Sequence, residues 1–178
     1  HYREAIVDVI SDPVAEFTAN ETTICAGSTI DFTDESVSPQ SWLWTFEGGD
    51  PGTSVEQNPT GITYANTGTF NVSLEVTNPV GSDLIIKEDF ITVNTIPESP
   101  TGASLSVCKN LLIPPLEVAG ENILWYNNPA LTEVIFEGNV FPTGNTLPGV
   151  YRYYVTQTID NCESEAIEIS LEIYDTPA

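Results

Sequence analysis

The sequence predicts an all-β fold made of two antiparallel β-sandwiches in tandem, and three observations support it. Trp42, Trp44 and Phe46 alternate along one stretch and Phe70, Val72, Leu74 and Val76 along another. A period of two sets one side of a strand against a core and the other against water. Short segments of this kind recur along the chain, divided by Gly, Pro, Asn and Asp. No stretch combines a helical period with a capping residue and adequate length.

Taken in order, residues 1–11 contain a short apolar run, Ile6 to Ile10, and read as the tail of a preceding domain or a linker. Strand-like segments then follow at 14–19, 29–34, 41–46, 61–64, 68–78 and 82–93. A Glu47-Gly48-Gly49-Asp50-Pro51-Gly52 turn follows the tryptophans, and Thr69, Asn71, Ser73, Glu75 and Thr77 take the water-facing positions of the later strand. These segments define a first domain over 12–94. Pro97 and Pro100 prevent the next segment from continuing a central strand, so 95–100 reads as a stiff linker. A second domain over 101–178 repeats the logic. Trp125 marks a strand at 123–126, a short one follows at 134–137, and 149–158 is rich in Tyr. Along 165–174, Ile167, Ile169, Leu171 and Ile173 share one face while Glu168, Ser170 and Glu172 face solvent.

A length of 178 residues allows each half a core of its own. Four basic residues (Arg3, Lys87, Lys109 and Arg152) stand against 26 acidic ones, a formal net charge of −22. That field repels phosphate backbones and anionic lipid, which disfavours nucleic acid and membrane-surface partners. It suits solubility outside the cell and invites only divalent cations. No apolar run has the length of a bilayer span, so direct membrane insertion is not expected. The chain opens at His1-Tyr2-Arg3 with no signal-peptide pattern and reads as a piece of something longer.

Catalytic sets fail on inventory. Ser-His-Asp and Cys-His arrangements need a histidine to carry the proton, and the only one is His1. The carboxylate pairs Glu163/Glu165 and Asp34/Glu35 are more often a solvated face of a sandwich than a glycosidase dyad. This stretch is therefore not expected to be an enzyme, and no cofactor is required. Calcium is the one metal considered. Loops at one end of a sandwich meet, which would bring together Asp12, Asp34, Glu35 and Asp83, whose hard oxygens suit Ca²⁺. The competing reading is that these are ordinary polar loop residues. Trp42, Trp44 and Trp125 fit core packing, which leaves Tyr126 and Tyr154 as the exposed rings able to contact a polysaccharide.

Trp44-Thr45-Phe46-Glu47-Gly48-Gly49, Tyr64, and Gly68-Thr69-Phe70-Asn71-Val72 leading to Thr77-Asn78 carry a resemblance to the PKD domain, an immunoglobulin-like repeat, over residues 12–94. Val107-Cys108, Ile123-Leu124-Trp125-Tyr126, Gly149-Val150-Tyr151 and Tyr153-Tyr154-Val155-Thr156 followed by Cys162-Glu163-Ser164 give the second half its own likeness. It resembles immunoglobulin-like repeats of large secreted and surface proteins in gliding, polymer-degrading bacteria. The two resemblances imply a secreted or cell-surface, extracellular location and a non-catalytic accessory tandem that spaces and orients neighbouring domains of the same chain. The parent protein could still carry a catalytic domain elsewhere. An adhesive module for polysaccharide or a surface protein is the alternative. The second resemblance also implies that Cys108 pairs with Cys162, closing a loop worth about 4 kcal/mol. Two buried free thiols are the other reading. Cys25 reads as a structural, unreactive thiol.

Overall fold

The computed structural model describes residues 11–109 and 111–175, so the expected N-terminal tail lies outside the described residues save for Ser11. Regular structure among the described residues is all strand. The chain divides into two compact units with the boundary between Thr95 and Ile96.

The first unit holds β1 (Phe17–Ala19), β2 (Thr23–Cys25), β3 (Thr29–Ile30), β4 (Phe32–Asp34), β5 (Ser41–Phe46), β6 (Gly49–Asp50), β7 (Thr53–Ser54), β8 (Ile62–Tyr64), β9 (Gly68–Thr77) and β10 (Ser82–Asn94). Its main sheet runs β2-β10-β9-β5-β7, and β1-β4 and β3-β8-β6 form smaller sheets. All pairings are antiparallel except that of β2 with β10. Alternation along β5 and β9 drives Trp44, Phe46, Val72, Leu74 and Val76 into the core. There the Phe17 ring meets Trp44 edge-on with centroids 5.2 Å apart, while Phe46 stacks on Trp44 at 5.8 Å. Both are favoured aromatic geometries.

The segment expected as one strand over 29–34 changes sheet at Asp31. β3 pairs with β8, and β4 pairs with β1. The switch is held by Asp31 itself, whose N–H donates to Asn20 Oδ1 and whose Oδ1 accepts the Gly61 N–H, at 2.9 and 2.8 Å. The β9–β10 turn is fixed by Asn78, whose Oδ1 accepts the Val80 and Gly81 N–H groups in an Asx turn. Its Nδ2 donates to the carbonyls of Ser11 and Ser38. Gly48 sits at φ 70°, and a Cβ there would fall 2.3 Å from the Phe70 ring, so the turn after β5 requires glycine.

The second unit holds β11 (Thr101–Gly102), β12 (Leu105–Cys108), β13 (Leu116–Ala119), β14 (Ile123–Tyr126), β15 (Val134–Glu137), β16 (Val140–Phe141), β17 (Gly149–Ile159), β18 (Cys162–Glu163) and β19 (Ile167–Tyr174). One sheet runs β12-β19-β17-β14-β15 with β18 on β17, and the other runs β11-β13-β16. As in the first unit, the short strand joining the end of the main sheet, β12, runs parallel to its neighbour. Trp125 lies at the centre of this core, with the Phe141 and Tyr153 rings 5.0 and 6.4 Å away. Each unit thus closes a core around a fully buried tryptophan.

Candidate functional site

Three of the four carboxylates expected to gather for calcium hold the scaffold instead. Asp34 accepts hydrogen bonds from the Ser36 N–H, from Trp42 Nε1 at 2.8 Å and from Gln57 Nε2 at 3.1 Å. Partial burial pushes its carboxyl up, but these donors outweigh that and hold it below the ordinary aspartate range. Asp83 Oδ2 accepts the Ala15 N–H at 2.8 Å, tying the chain before β1 to β10 by a side chain. Glu35 accepts from Thr18 Oγ1, and Asp12 lies beside Gly81. Among the described residues no three of His, Cys, Asp or Glu form a group able to hold a metal. The expected convergence of Asp12, Asp34, Glu35 and Asp83 is therefore corrected: the four form no common group among the described residues, and hydrogen-bond donors of the fold occupy oxygens of Asp34, Glu35 and Asp83.

The two tyrosines are cross-strand partners in β14 and β17, yet their environments differ. Tyr126 is buried, against expectation. Trp125 belongs to the core, whereas Tyr126 lies on the other side of the sheet with Thr156, and Glu163 of β18 covers both. The Tyr126 hydroxyl donates to Glu163 Oε1, and burial, with Glu163 adding to it, raises its pKa. Tyr154 is half-buried, and its hydroxyl donates to Glu168 Oε2, while Oε1 of the same carboxylate pairs with Arg152. The tryptophans behave as expected of core residues: Trp44 and Trp125 are fully buried, with their indole N–H groups on the Glu56 and Gly138 carbonyls.

The cysteine pairing is also corrected. Cys108 is a free, exposed thiol, whereas Cys25 and Cys162 are both disulfide-bonded. Register explains why Cys108 cannot meet Cys162. Cys108 pairs with Tyr174, next to the Gly149 end of β17, while Cys162 pairs with Ile159 at its other end. The 11 residues of β17, at about 3.3 Å each, put these ends about 30 Å apart. A disulfide needs Cα atoms within about 7 Å. Cys25, expected to be a thiol, is a half-buried disulfide cysteine at the end of β2.

What the structure adds lies on the outward face of the first unit's main sheet. Leu43 on β5 and Leu84 and Ile86 on β10 are 47, 55 and 57% exposed. Cross-strand register aligns Leu43, Glu75 and Leu84 in one row and Thr45, Ser73 and Ile86 in the next. A shallow depression of about 360 Å³ opens among Thr45, Glu47, Asn71, Ser73 and Ile86. The sequence carried a signal for this face: Leu84-Ile85-Ile86 is an unbroken apolar run, so β10 must be apolar on both sides there. A second concavity, about 640 Å³, lies in the second unit between Leu111–Pro115 and Val140–Thr146 and has no charged residue in its lining.

Among curated proteins nothing matches this chain. Similar solved structures include a solution NMR structure from Methanosarcina mazei, 30% identical, with a TM-score of 0.38 over 53% of this chain and 62% of that one. The chain thus spans less than two thirds of that structure. Fibronectin(III)-like modules of Clostridium thermocellum CbhA are 12% identical, with a TM-score of 0.47 over 90% of this chain and 95% of theirs. A chimeric titin Z1Z2 tandem is 14% identical, with a TM-score of 0.40 over 96% of this chain and all of that one, 100%. Residues 15–86, from just before β1 to the apolar run of β10, match the family model of the PKD domain.

Proposed function

We propose that this chain is a non-catalytic accessory tandem that spaces and orients neighbouring domains of a secreted or cell-surface bacterial protein. One observation carries the reading: each unit closes its own aromatic core around a fully buried tryptophan. Such modules transmit position and force because they are rigid. The PKD match over 15–86 supports the same reading, and the disulfide-bonded Cys25 and Cys162 suit an oxidising, extracellular compartment. The decisive experiment exchanges residues 12–175 of the full-length protein for an unrelated pair of sandwich modules of equal length. Retained activity or attachment of the flanking domains, set against its loss on deletion, supports spacing. Loss in the exchange as well as in the deletion overturns it in favour of recognition by this tandem.

A further inference from the structure

We propose that the outward face of β5, β9 and β10 docks an extended protein segment in which apolar and basic side chains alternate. The inference goes beyond the spacing role and stands or falls separately from it.

Three features of the face select this occupant. First, it presents three exposed apolar side chains on one side of the sheet, two of them adjacent on β10. Leu43 and Leu84 lie two strands apart, about 10 Å, in one row, and Ile86 stands two residues along from Leu84 on the same side. Isolated exposed leucines are ordinary, but a cluster on rigid strands is the form a protein contact takes. Second, the charge within and around the cluster is of one sign. Glu75 sits between the two leucines and Glu47 and Glu88 at the ends, within a chain of net charge −22. The one lysine of β10, Lys87, points to the opposite side, onto Glu16 and the Phe17 carbonyl. A second copy would bring glutamates against glutamates, whereas basic side chains beside apolar ones complement the face. Third, one stretch of β10 has a single strand partner among the described residues. β2 pairs with β10 only over Thr92–Asn94, so from Ser82 to Glu88 strand β10 has β9 alone as a strand partner among the described residues. A strand with a single partner beside an apolar row suits an extended chain, whose alternate side chains then fall on one face. The face carries no aromatic ring, which separates it from the flat platforms that bind polysaccharide.

The test uses the chain as described and the alternating peptide (Lys-Leu)5, with (Lys-Ser)5 as a probe of equal charge. Binding is measured by titration calorimetry and mapped by amide chemical shifts. (Lys-Leu)5 should bind with shifts concentrated on residues 43–47, 71–75 and 82–88. Leu84→Ser/Ile86→Ser should weaken it by roughly tenfold or more while leaving the melting temperature and the weak (Lys-Ser)5 binding unchanged. Glu75→Gln, which deletes no apolar contact, should weaken (Lys-Leu)5 less and reduce its salt dependence. Equal binding of both peptides, shifts spread over the acidic surface, or an unaltered Leu84→Ser/Ile86→Ser variant would show charge attraction alone and overturn the proposal. So would binding of a neutral polysaccharide that this variant abolishes.

Discussion

The hydroxyl of Tyr126 donates to Glu163 Oε1 at 2.8 Å, and Thr156 Oγ1 donates to the same oxygen at 2.6 Å. One exposed carboxylate on β18 thus satisfies two hydroxyls that the fold buries. Buried hydroxyls without partners cost far more than the net worth of a hydrogen bond. Glu163→Ala, which orphans both, should destabilise the second unit by about 2 kcal/mol or more, and Tyr126→Phe, which removes a donor together with its need, by about 1 kcal/mol. Urea unfolding of both variants checks the order. Equal losses would mean that Glu163 does not act as a shared acceptor.

Tyr64 presents the opposite case. It is fully buried against Phe70, and its hydroxyl has no hydrogen-bond partner. Burial pushes its pKa up to about 12. The phenol costs desolvation without return, so Tyr64→Phe should leave the melting temperature at neutral pH unchanged or raise it. The sign of the pH effect follows from the raised value. Folded protein keeps the proton while unfolded chain releases it near pH 10, so stability is complete below about pH 10 and lost toward pH 12. Tyr64→Phe should retain more of its neutral-pH stability at pH 11 than the parent chain does. A variant that melts well below the parent at neutral pH would refute the orphaned hydroxyl.

Strands with a long period of two could be read from the sequence, and shorter devices could not. β5, β9, β10, β17 and β19 were evident because Trp44, Leu74, Val93, Val155 and Leu171 repeat on one face over six residues or more. β6, β7, β11, β16 and β18 have two residues each, too few to display any period. Tyr126 was misplaced because its burial depends on Glu163 of β18, 37 residues along the chain, which no local pattern records. The role of Asp83 was hidden for the same reason, since Ala15 lies 68 residues away in the chain. Alternation fixes which side a residue faces. It does not fix which distant donor will be waiting there.

Lys87 ties β10 to β1 through several contacts at once. Its Nζ donates to the Phe17 carbonyl, pairs with Glu16 Oε1 and lies 4.5 and 5.3 Å from the Phe17 and Phe90 ring centroids. The hydrogen bond from Lys87, then that from the Phe17 N–H, holds the Glu16 carboxyl below its ordinary range against a small opposing effect of burial. A depressed carboxyl contributes stability above its unfolded pKa and loses it as the pH falls through the folded value. Glu16→Gln should therefore flatten part of the loss of melting temperature on acidification below about pH 5. Lys87→Ala should cost about 1–2 kcal/mol at neutral pH, through the ring contacts and the orphaned carbonyl as much as through the ion pair. A Glu16→Gln acid profile that overlays the parent would rule out the pairing as a source of acid sensitivity.

Thiol chemistry offers the sharpest check on the cysteines. Cys108 is free and exposed at the end of β12, while Cys25 and Cys162 are disulfide-bonded. Exposure and thiolate availability govern alkylation, so native protein should take up one equivalent of iodoacetamide at Cys108. Because the Cys108 side chain lies outside the core and Val107 packs inside it, the adduct should leave the melting temperature unchanged. After reduction under denaturing conditions, two further thiols should appear at Cys25 and Cys162. Reduction should also lower the melting temperature, by an amount corresponding to about 2–4 kcal/mol for a typical disulfide. Peptide mapping that found Cys108 blocked before reduction and Cys25 alkylated in the native protein would instead restore the Cys108–Cys162 pairing. That pairing would require the two ends of β17 to meet, which its extended strand does not allow.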